Sequence, residues 1–340
     1  MGYEEVFNRI RDGLKDEIKW WPRYFYHFTD VHNVPGILST GWIYSRSVAI
    51  GSGMLKHDNA SQSVIEATMP VNKTYGRLYF RPLTPTQYNN EGYKPPSIAY
   101  QEIGGNCPVP VFICLDSLDT MRYPGVKFAE KGLSGDRDTI AEGEEAFVKL
   151  HFEKIYHYGV YGTEDRDIKD YRHSEIIREG GMPINPLLRG IMCRTAAEKE
   201  TLKNLLLEHS PMLYERYAGY ISYDPKYRFF YNNGIFISKV ELNDELINIL
   251  LNDRTNRRIL NPDVTNAYID VHISAVFMGE DRLTMDVQEY QCQIDYRDTQ
   301  EIWFRIRRDK KEQSRNVLIE ICFDRIVMYK GMFAAGDIVT

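Results

Sequence analysis

Short segments with strand patterns and short segments with helix patterns follow one another irregularly along the first 217 residues, and this order constrains the fold most. Tyr24-Phe25-Tyr26-His27-Phe28-Thr29 is rich in aromatic residues and is typical of a strand. Further strands are predicted over residues 78–81, 109–115, 155–160 and 173–178. A doubly wound sheet requires strands and helices in regular alternation, so this pattern predicts an α+β fold instead.

Helices are predicted where apolar residues recur every three or four positions. Val6, Ile10 and Leu14 are spaced four apart and indicate an opening helix over residues 3–19. Further helices are predicted over residues 32–39, 139–149 and 195–207. We expect these helices to flank the strands of the first 217 residues.

The pattern changes after residue 217, where strand patterns dominate. Residues 269–277 alternate apolar and polar side chains, as expected of a half-buried strand. Asn232-Asn233-Gly234 predicts a hairpin turn, because Asn and Gly tolerate positive φ. The other predictions are hairpin strands over 227–231 and 235–238, strands over 283–296, 301–307 and 317–329, and one short helix near 244–251. We therefore predict one domain over residues 1–217 and a mainly antiparallel β module over residues 218–340.

The composition is that of a globular protein, with 43% hydrophobic and 26% charged residues. No run of about 18 apolar residues indicates a membrane span, and the N-terminal segment lacks the apolar stretch of a signal peptide. A cytoplasmic location is therefore expected. The five cysteines include no Cys-x-x-Cys pair and no Cys/His cluster at zinc spacing, so buried thiols and no metal site are predicted.

The formal net charge of −6 argues against a protein that binds phosphate backbones non-specifically, although it is compatible with a local basic groove. The most basic stretch is 303–311, where cationic residues alternate with aromatic or apolar ones. A strand there places Trp303, Arg305 and Arg307 on one face. This face is a solvated strand surface, a track for nucleic acid with Trp303 stacking on a base, or a docking site for a protein partner.

Three segments of the first domain combine residues that are suited to ligand chemistry. His27 and Thr29 lie on the same face of a predicted strand, with Asn33 shortly downstream. Residues 81–88 form a proline-stiffened loop, in which an arginine offers a fork of donors to phosphate and a tyrosine offers a stacking face. Glu175 begins an apolar strand. Singly, these segments also fit a core histidine, a rigid loop and a solvated strand end, and only their combination favours a ligand site.

In this combination and order, the segments resemble the DarT family of nucleic-acid ADP-ribosyltransferases. The matching stretches are 26–29, 33–38 with Gly41, 78–88, 174–177, 191–193 and the helix over 198–207. The resemblance ends near residue 215, so the β module lies outside it. It implies an ADP-ribosyltransferase-like mixed β core with flanking helices, followed by the antiparallel β module.

The resemblance also implies the substrate and the roles of individual residues. NAD⁺ would be consumed as co-substrate, without a metal, and Glu175 would be the catalytic acid with Arg81 assisting. The residues implied to bind NAD⁺ are His27, Thr29, Asn33, Gly36, Arg46, Tyr79 and Tyr88. The acceptor would be recognised by the loop over 162–171 and by Tyr171, Arg172 and His173.

The acceptor base is left open by one departure from the family pattern. Family members that modify thymine usually carry an arginine in the helix before the second motif, and residues 61–68 contain none. Arg46, Arg77 and Arg81 are candidates for that role. The second motif is more similar to the branch that modifies other bases.

The resemblance further implies a toxin that an antitoxin restrains, with or without a chaperone, in a toxin–antitoxin or phage-defence system. Single-stranded nucleic acid, either DNA or RNA, would be the acceptor. Alternatives are a protein-directed transferase, an NAD⁺ glycohydrolase, and a binding module whose transferase domain is degenerate. The presence of both His27 and Glu175 argues against degeneracy.

Overall fold

An eight-stranded sheet organises the first two thirds of the chain. The computed structural model describes residues 2–53, 55–57, 70–98, 105–133, 140–160, 162, 165–226, 228–243, 246–257, 267–279, 283–307 and 316–334. The strands of the sheet, in spatial order, are β10 (Ile221–Tyr223), β9 (Leu188–Cys193), β4 (Pro110–Asp116), β1 (Tyr24–Asp30), β3 (Tyr75–Tyr79), β7 (Glu175–Glu179), β5 (Val126–Ala129) and β6 (Ile140–Ala141). β9 and β10 are parallel, and the other neighbours are antiparallel. The α+β prediction is confirmed.

Strand β1 contacts its two neighbours unequally. It pairs with β4 along its whole length, from Tyr24 opposite Asp116 to Asp30 opposite Pro110. With β3 it forms one pair, Tyr26 opposite Tyr79, although the structure describes every residue of both strands. The second half of β1 and the first half of β3 are therefore unpaired, and this unpaired stretch is called the opening below.

Short helices surround the sheet. The α-helices are Tyr3–Gly13, Val34–Thr40, Arg46–Gly51, Pro85–Asn90, Ser117–Met121, Glu144–Phe147, Phe152–Ile155, Ile168–Tyr171, Ala196–His209 and Pro211–Tyr217. The 3-10 helices are Trp21–Arg23, Val31–Asn33, Pro70–Thr74, Ala218–Tyr220 and Arg254–Asn256. Among the described residues, the longest α-helix is Ala196–His209. It begins after Thr195, whose hydroxyl oxygen accepts a hydrogen bond from the Glu198 N–H at 3.1 Å. In the described ranges, no helix has the length and apolar character that a membrane span requires.

Both faces of the main sheet are covered by apolar side chains. On one face, Phe25 belongs to the large core that also contains the buried side chains of the flanking helices. On the other face, Tyr26 and Phe112 pack with Phe229 and Phe230, which come from the segment after the sheet. A two-stranded sheet of β2 (Trp42–Tyr44) and β8 (Gly181–Pro183) lies against β3.

The C-terminal part consists of two antiparallel sheets, which confirms the predicted strand-rich character. One contains β11 (Ile237–Leu242), β12 (Leu246–Leu251) and β15 (Glu301–Arg305). The other contains β14 (Thr284–Asp295), β13 (Tyr268–Met278), β16 (Asn316–Phe323) and β17 (Ile326–Ala334). β17 contacts the helix Ala196–His209, where the Lys330 N–H donates to Thr201 Oγ1 at 3.1 Å. The boundary between residues 217 and 218 stays a prediction, and β10 beyond it pairs within the first sheet.

Three predictions in the first domain are corrected by the structure. The opening helix ends at Gly13 and does not continue to residue 19, because glycine is a poor helix former. Residues 155–160 end a short helix and form a loop, since carbonyl groups at Ile155 and His157 accept hydrogen bonds from buried Arg81. The predicted helix over 139–149 is a short strand followed by the helix Glu144–Phe147, with residue 139 outside the described residues.

Three predictions in the C-terminal part are corrected as well. Residues 246–251 are a strand, because every second side chain is buried. Residues 317–329 belong to two strands joined by a turn at Asp324 and Arg325, which have φ of 43° and 73°. The predicted hairpin is absent among residues 228–236, although Asn232 and Gly234 have the expected positive φ. The backbone of this segment bonds to the first domain instead, and residue 227 lies outside the described residues.

Candidate active site

Glu175 is a buried carboxylate at the start of β7. The Nη1 atom of Arg77 lies 3.4 Å from each carboxylate oxygen. The backbone N–H of Leu133 donates to Oε2 at 3.2 Å. Glu175 lies directly opposite Tyr79 in the ladder between β3 and β7. The carboxylate is thus held beside β3 by one cation and one backbone donor.

A network of backbone contacts fixes the two groups that hold Glu175. Nη2 of Arg77 donates to the Asn72 carbonyl at 2.5 Å, and the Asn72 side-chain amide donates to the Leu133 carbonyl at 3.3 Å. Gly132 allows the close approach of this loop, because a Cβ at that position would lie 2.9 Å from the Cβ of His173. The positions of Arg77 and Leu133 are therefore coupled.

His27 lies across the opening from Arg77. Its Nδ1 atom is 3.1 Å from the Arg77 carbonyl oxygen. Because a carbonyl only accepts, Nδ1 carries the proton and Nε2 is the acceptor in the neutral ring. Burial lowers the pKa of His27 to about 4, with the hydrogen bond to Arg77 acting in the opposite direction. The imidazole is neutral at pH 7 and presents one acceptor nitrogen.

Thr29 and Asn33 connect β1 to a neighbouring segment. The Asn33 amide nitrogen donates to Thr29 Oγ1 at 3.3 Å and to the His57 carbonyl at 2.7 Å. Its amide oxygen accepts from the N–H groups of Lys56 at 2.9 Å and His57 at 3.0 Å. Asn33 therefore anchors the segment 55–57 beside the strand that carries His27.

Tyr79 links Glu175 to the second motif. Burial raises the pKa of Tyr79 to about 12, and the charge of Glu175 contributes in the same direction. The side chain of Thr86, in the helix Pro85–Asn90, lies near the Tyr79 hydroxyl and acts on this pKa in the opposite direction. The same helix carries Tyr88, whose side chain is 40% exposed. The structure thus places the predicted NAD⁺-binding residues Tyr79 and Tyr88 on one connected unit beside Glu175.

Arg81, predicted to assist catalysis, is buried within the protein. Its guanidinium donates to the carbonyl groups of Ile155, at 3.4 Å, and of His157. Burial lowers the pKa of Arg81 to about 9. Arg77 is the arginine whose guanidinium contacts Glu175. The role of Arg81 in catalysis stays a prediction, and its observed contacts fix the loop after residue 155.

Tyr171 is packed between two lysine side chains. The Nζ atoms of Lys131 and Lys154 lie 4.7 Å and 5.0 Å from the centre of its ring. The ring is buried, so it anchors the C-terminal end of the predicted acceptor loop. Within that loop, residues 163 and 164 lie outside the described residues.

Arg172 and His173 follow and lead directly to the catalytic candidate. Nη2 of Arg172 lies 2.7 Å from Nδ1 of His157 and 2.5 Å from the Gly159 carbonyl. Nδ1 of His173 is 3.0 Å from the Lys169 carbonyl. Burial lowers the pKa of His173, against the effect of the nearby Glu175 charge. The predicted acceptor residues therefore lie directly before Glu175 in the chain, and His173 is close enough for the Glu175 charge to affect its pKa.

Gly36 and Arg46 lie on the two helices after β1. The Gly36 carbonyl accepts a hydrogen bond from Ser39 Oγ at 2.9 Å. Arg46 begins the helix Arg46–Gly51, which is joined to the turn before β3 by a 3.1 Å hydrogen bond from Ser47 Oγ to the Lys73 carbonyl. Their contribution to NAD⁺ binding stays a prediction.

The groups that hold Glu175 were not predicted from the sequence. Arg77 was considered only as a substitute for a missing arginine, yet strand alternation places it on the same face as Tyr79. That alternation was a usable signal. Leu133 and Asn72 are distant in sequence from Glu175 and act partly through their backbones, so no side-chain pattern indicates them. In the part of the chain that the structure describes, no group of three or more His, Cys, Asp or Glu is arranged to hold a metal ion.

The chain matches the family model described as DarT, an ssDNA thymidine ADP-ribosyltransferase, over residues 26–221. No curated protein matches it. Thermus sp. 2.9 DarT in complex with NAD⁺ is 16% identical with a TM-score of 0.43, and the match covers 56% of this chain and 91% of that one. The same DarT in complex with ADP-ribosylated ssDNA is 18% identical with a TM-score of 0.44, covering 55% and 89%. Thermosipho africanus DarTG in complex with ADP-ribose is 13% identical with a TM-score of 0.42, covering 64% and 53%.

The family match extends over more than half of the 340 residues. It includes the strand with His27, the loop with Tyr88 and the strand that begins at Glu175. This chain therefore belongs to the DarT family, and it is an NAD⁺-dependent ADP-ribosyltransferase that modifies single-stranded DNA.

Proposed function

We propose that Glu175 is the catalytic carboxylate of this ADP-ribosyl transfer. The observation that carries the proposal is its position: a buried carboxylate opposite Tyr79, held by the Leu133 N–H and by Arg77, whose carbonyl contacts His27. An ionised carboxylate accepts about four hydrogen bonds. Because these two partners leave acceptor capacity, a ribose hydroxyl has room to bind to the same carboxylate.

The reaction exchanges one bond at C1′ of the nicotinamide ribose for another. The bond from C1′ to the nicotinamide nitrogen breaks, and nicotinamide leaves with the electron pair. The positive charge that develops on the ribose is of the kind that carboxylates stabilise in glycosidases. A nitrogen of the acceptor base then bonds to C1′, and its proton passes to the carboxylate of Glu175 as general base.

The proposed NAD⁺ site lies around the opening. His27 contributes a neutral ring with Nε2 as acceptor, which suits a hydroxyl or amide donor of the nucleotide. Tyr79 and Tyr88 contribute a buried hydroxyl and an exposed ring on the far side. Thr29 and Asn33 hold the His27 side of the pocket, and Gly36 and Arg46 complete the residues assigned to NAD⁺.

The proposed acceptor site lies beside Arg172 and His173, directly before Glu175 in the chain. The description of the family names thymidine, whereas residues 61–68, outside the described residues, lack the arginine of thymine-modifying members. A library of single-stranded DNA and RNA oligonucleotides, each with one base type at the centre, assigns the base by mass spectrometry. Modification of RNA alone would contradict DNA as the acceptor.

The test of the catalytic assignment compares Glu175→Gln with Glu179→Gln. Glu179 ends the same strand and is exposed, so it is a matched control. We expect Glu175→Gln to lower the rate of transfer to single-stranded DNA by about a thousandfold, because only transition-state charge stabilisation is lost. Calorimetry is expected to show retained NAD⁺ binding. A rate within about tenfold of wild type would remove Glu175 from the catalytic role.

We also propose that the enzyme is a toxin restrained by an antitoxin, in a toxin–antitoxin or phage-defence system. The proposal is supported by family membership and by the assembled Glu175 site. Expression of the wild-type chain alone is expected to stop growth, whereas the Glu175→Gln chain is expected to be tolerated at equal abundance. Normal growth with active enzyme present would contradict a toxin.

A further inference from the structure

A segment beyond the family match lies against the second motif. The Phe229 carbonyl accepts a hydrogen bond from the Gln87 side chain at 2.7 Å. The Asn233 side chain donates to the Tyr88 carbonyl at 2.9 Å. The Tyr231 hydroxyl donates to the Leu83 carbonyl at 2.6 Å. Residues 229–233, here called the clamp segment, therefore contact the loop over 81–88 at three points.

Glu91 fixes the backbone of the clamp segment. This fully buried carboxylate accepts from the N–H groups of Tyr231 at 2.9 Å and Asn232 at 2.6 Å. It also accepts from the Gln87 amide at 2.8 Å, so one side chain joins the loop and the segment. Burial raises the pKa of Glu91, and the charge of Arg194 at 3.7 Å acts against that effect.

Two glycines, Gly92 after the loop and Gly234 after the clamp segment, allow close contact between the two backbones. A Cβ on Gly92 would lie 1.8 Å from the Asn233 carbonyl oxygen, and a Cβ on Gly234 would lie 2.7 Å from the Gly92 carbonyl carbon. Both glycines have positive φ, 77° and 72°, which side chains rarely adopt. The position of the clamp segment is thus set by direct backbone contact.

Leu83 is the residue of the loop with a strained backbone, and the clamp segment contacts it directly. Its φ is 58°, in the left-handed region that is disfavoured for a residue with a Cβ. The Leu83 N–H donates to the Gln87 side chain at 2.7 Å, and its carbonyl accepts from Tyr231. Removal of the tyrosine hydroxyl would leave the strained residue held on one side only.

We infer that Tyr231 is a positioning residue for the NAD⁺ site. Its hydroxyl holds Leu83, and its ring packs edge-on against the ring of Tyr88 at 5.1 Å between centres. The loop that it holds also carries Thr86, whose side chain lies near the hydroxyl of Tyr79 beside Glu175. The inference rests on the proposed role of Tyr88 in NAD⁺ binding. It extends the site to a residue outside the matched range 26–221.

The test is Tyr231→Phe in the full chain, with steady-state kinetics and NAD⁺ calorimetry. Loss of one hydrogen bond lowers the population of the binding-competent loop, so we expect KM and Kd for NAD⁺ to rise about fivefold. Saturating NAD⁺ restores the loop, so kcat is expected to stay within about twofold. The control is Tyr290→Phe, whose hydroxyl donates to the Arg305 carbonyl at 3.1 Å in the β module. A lowered melting temperature with unchanged KM would show a purely structural role and overturn the inference.

Tyr88→Ala separates this inference from the proposed NAD⁺ site. If Tyr88→Ala weakens NAD⁺ binding and Tyr231→Phe does not, the inference alone is wrong. If neither variant changes the NAD⁺ affinity, the assignment of Tyr88 and the inference are both wrong. Weakened binding in both, with Tyr290→Phe unchanged, supports the positioning role.

Discussion

Arg77 with Glu175 and Arg194 with Glu198 are two arginine–glutamate pairs in the same domain, and their surroundings differ. Arg194 and Glu198 have side chains that are 0% and 2% exposed, and Nε of Arg194 lies 3.0 Å from Oε1 of Glu198. The guanidinium also donates to the carbonyls of Asn233 and Pro108 and lies over the Phe236 ring. Every side of this pair is occupied by protein.

The Arg77 pair is looser and more open. Its N–O distances are 3.4 Å, and the side chain of Arg77 is 28% exposed. Residue type therefore does not distinguish the two roles. A saturated pair holds two parts of the chain together, whereas an unsaturated pair beside an opening keeps capacity for a ligand. The same sequence chemistry therefore yields an anchor in one place and a candidate catalytic group in another.

The largest expected effect tests the anchor. Arg194→Met is expected to lower the free energy of unfolding by about 3–5 kcal/mol, because it leaves Glu198 and Glu91 buried without their cation. Urea denaturation measures it. Arg189→Met is the control, since Arg189 pairs with partly exposed aspartates and is expected to cost less than about 1 kcal/mol. Equal losses in both variants would erase the contrast between buried and exposed pairs.

The second effect tests the open pair. Arg77→Met is expected to slow transfer to single-stranded DNA by about a hundredfold, because Glu175 loses its orienting cation. The free energy of unfolding is expected to fall by less than for Arg194→Met, since Arg77 is 28% exposed and Glu175 keeps the Leu133 N–H. Arg77→Lys keeps the charge, and partial recovery of the rate is expected. Loss of stability on the scale of Arg194→Met, with normal rate in the folded fraction, would place Arg77 among the anchors.

The two pairs also mark how far the sequence could predict this protein. Aromatic content predicted β1 and apolar spacing predicted the helix Ala196–His209, because both are local properties of consecutive residues. The resemblance supplied Glu175, and the structure places it beside Tyr79. Residues 227–238 were predicted as a hairpin, since Asn-Gly is a local turn signal. The partners that decided otherwise, among them Glu91, lie more than 130 residues away in the chain.

Contacts made by backbone groups are the second kind of feature that the sequence did not predict. Leu133 reaches Glu175 through its N–H, and Arg81 reaches residues 155–157 through their carbonyls. Such contacts carry no side-chain signature. The strand predicted over 155–160 was wrong, because the apolar pattern alone does not show that these carbonyls bond to a buried guanidinium. Sequence reasoning therefore located the motifs but not the groups that connect them.

The third effect concerns His27, whose Nδ1 is bonded to the Arg77 carbonyl and whose Nε2 is the acceptor proposed for NAD⁺. His27→Ala is expected to weaken NAD⁺ binding roughly tenfold by calorimetry, through loss of one acceptor at the opening. Because burial lowers the pKa of His27 from 6.5 to about 4, the folded protein binds fewer protons than the unfolded chain between those values. This contribution to the free energy of unfolding is complete above pH 6.5 and is lost as the pH falls towards 4. His27→Asn is expected to flatten that slope, and an unchanged slope would contradict a neutral buried ring.

The smallest expected effect lies in the β module, on the face of β15 that carries Trp303 and Arg305, with Arg307 two residues beyond the end of the strand. Trp303 is 65% exposed, as the sequence predicted, but Glu241 and its partner Lys239 share this face. The mixed charge favours a solvated surface over a phosphate track, so Arg305→Ser with Arg307→Ser is expected to change DNA affinity by less than about twofold. Arg308, the next cation, lies outside the described residues.

If the two cations contact phosphates, the salt dependence of binding would instead flatten by about 1.4 units, since single strands contribute about 0.7 per neutralised phosphate. Loss of a co-expressed antitoxin from the purified variant, with DNA binding unchanged, would assign the face to protein docking. The exposed arginines would then hold two chains together.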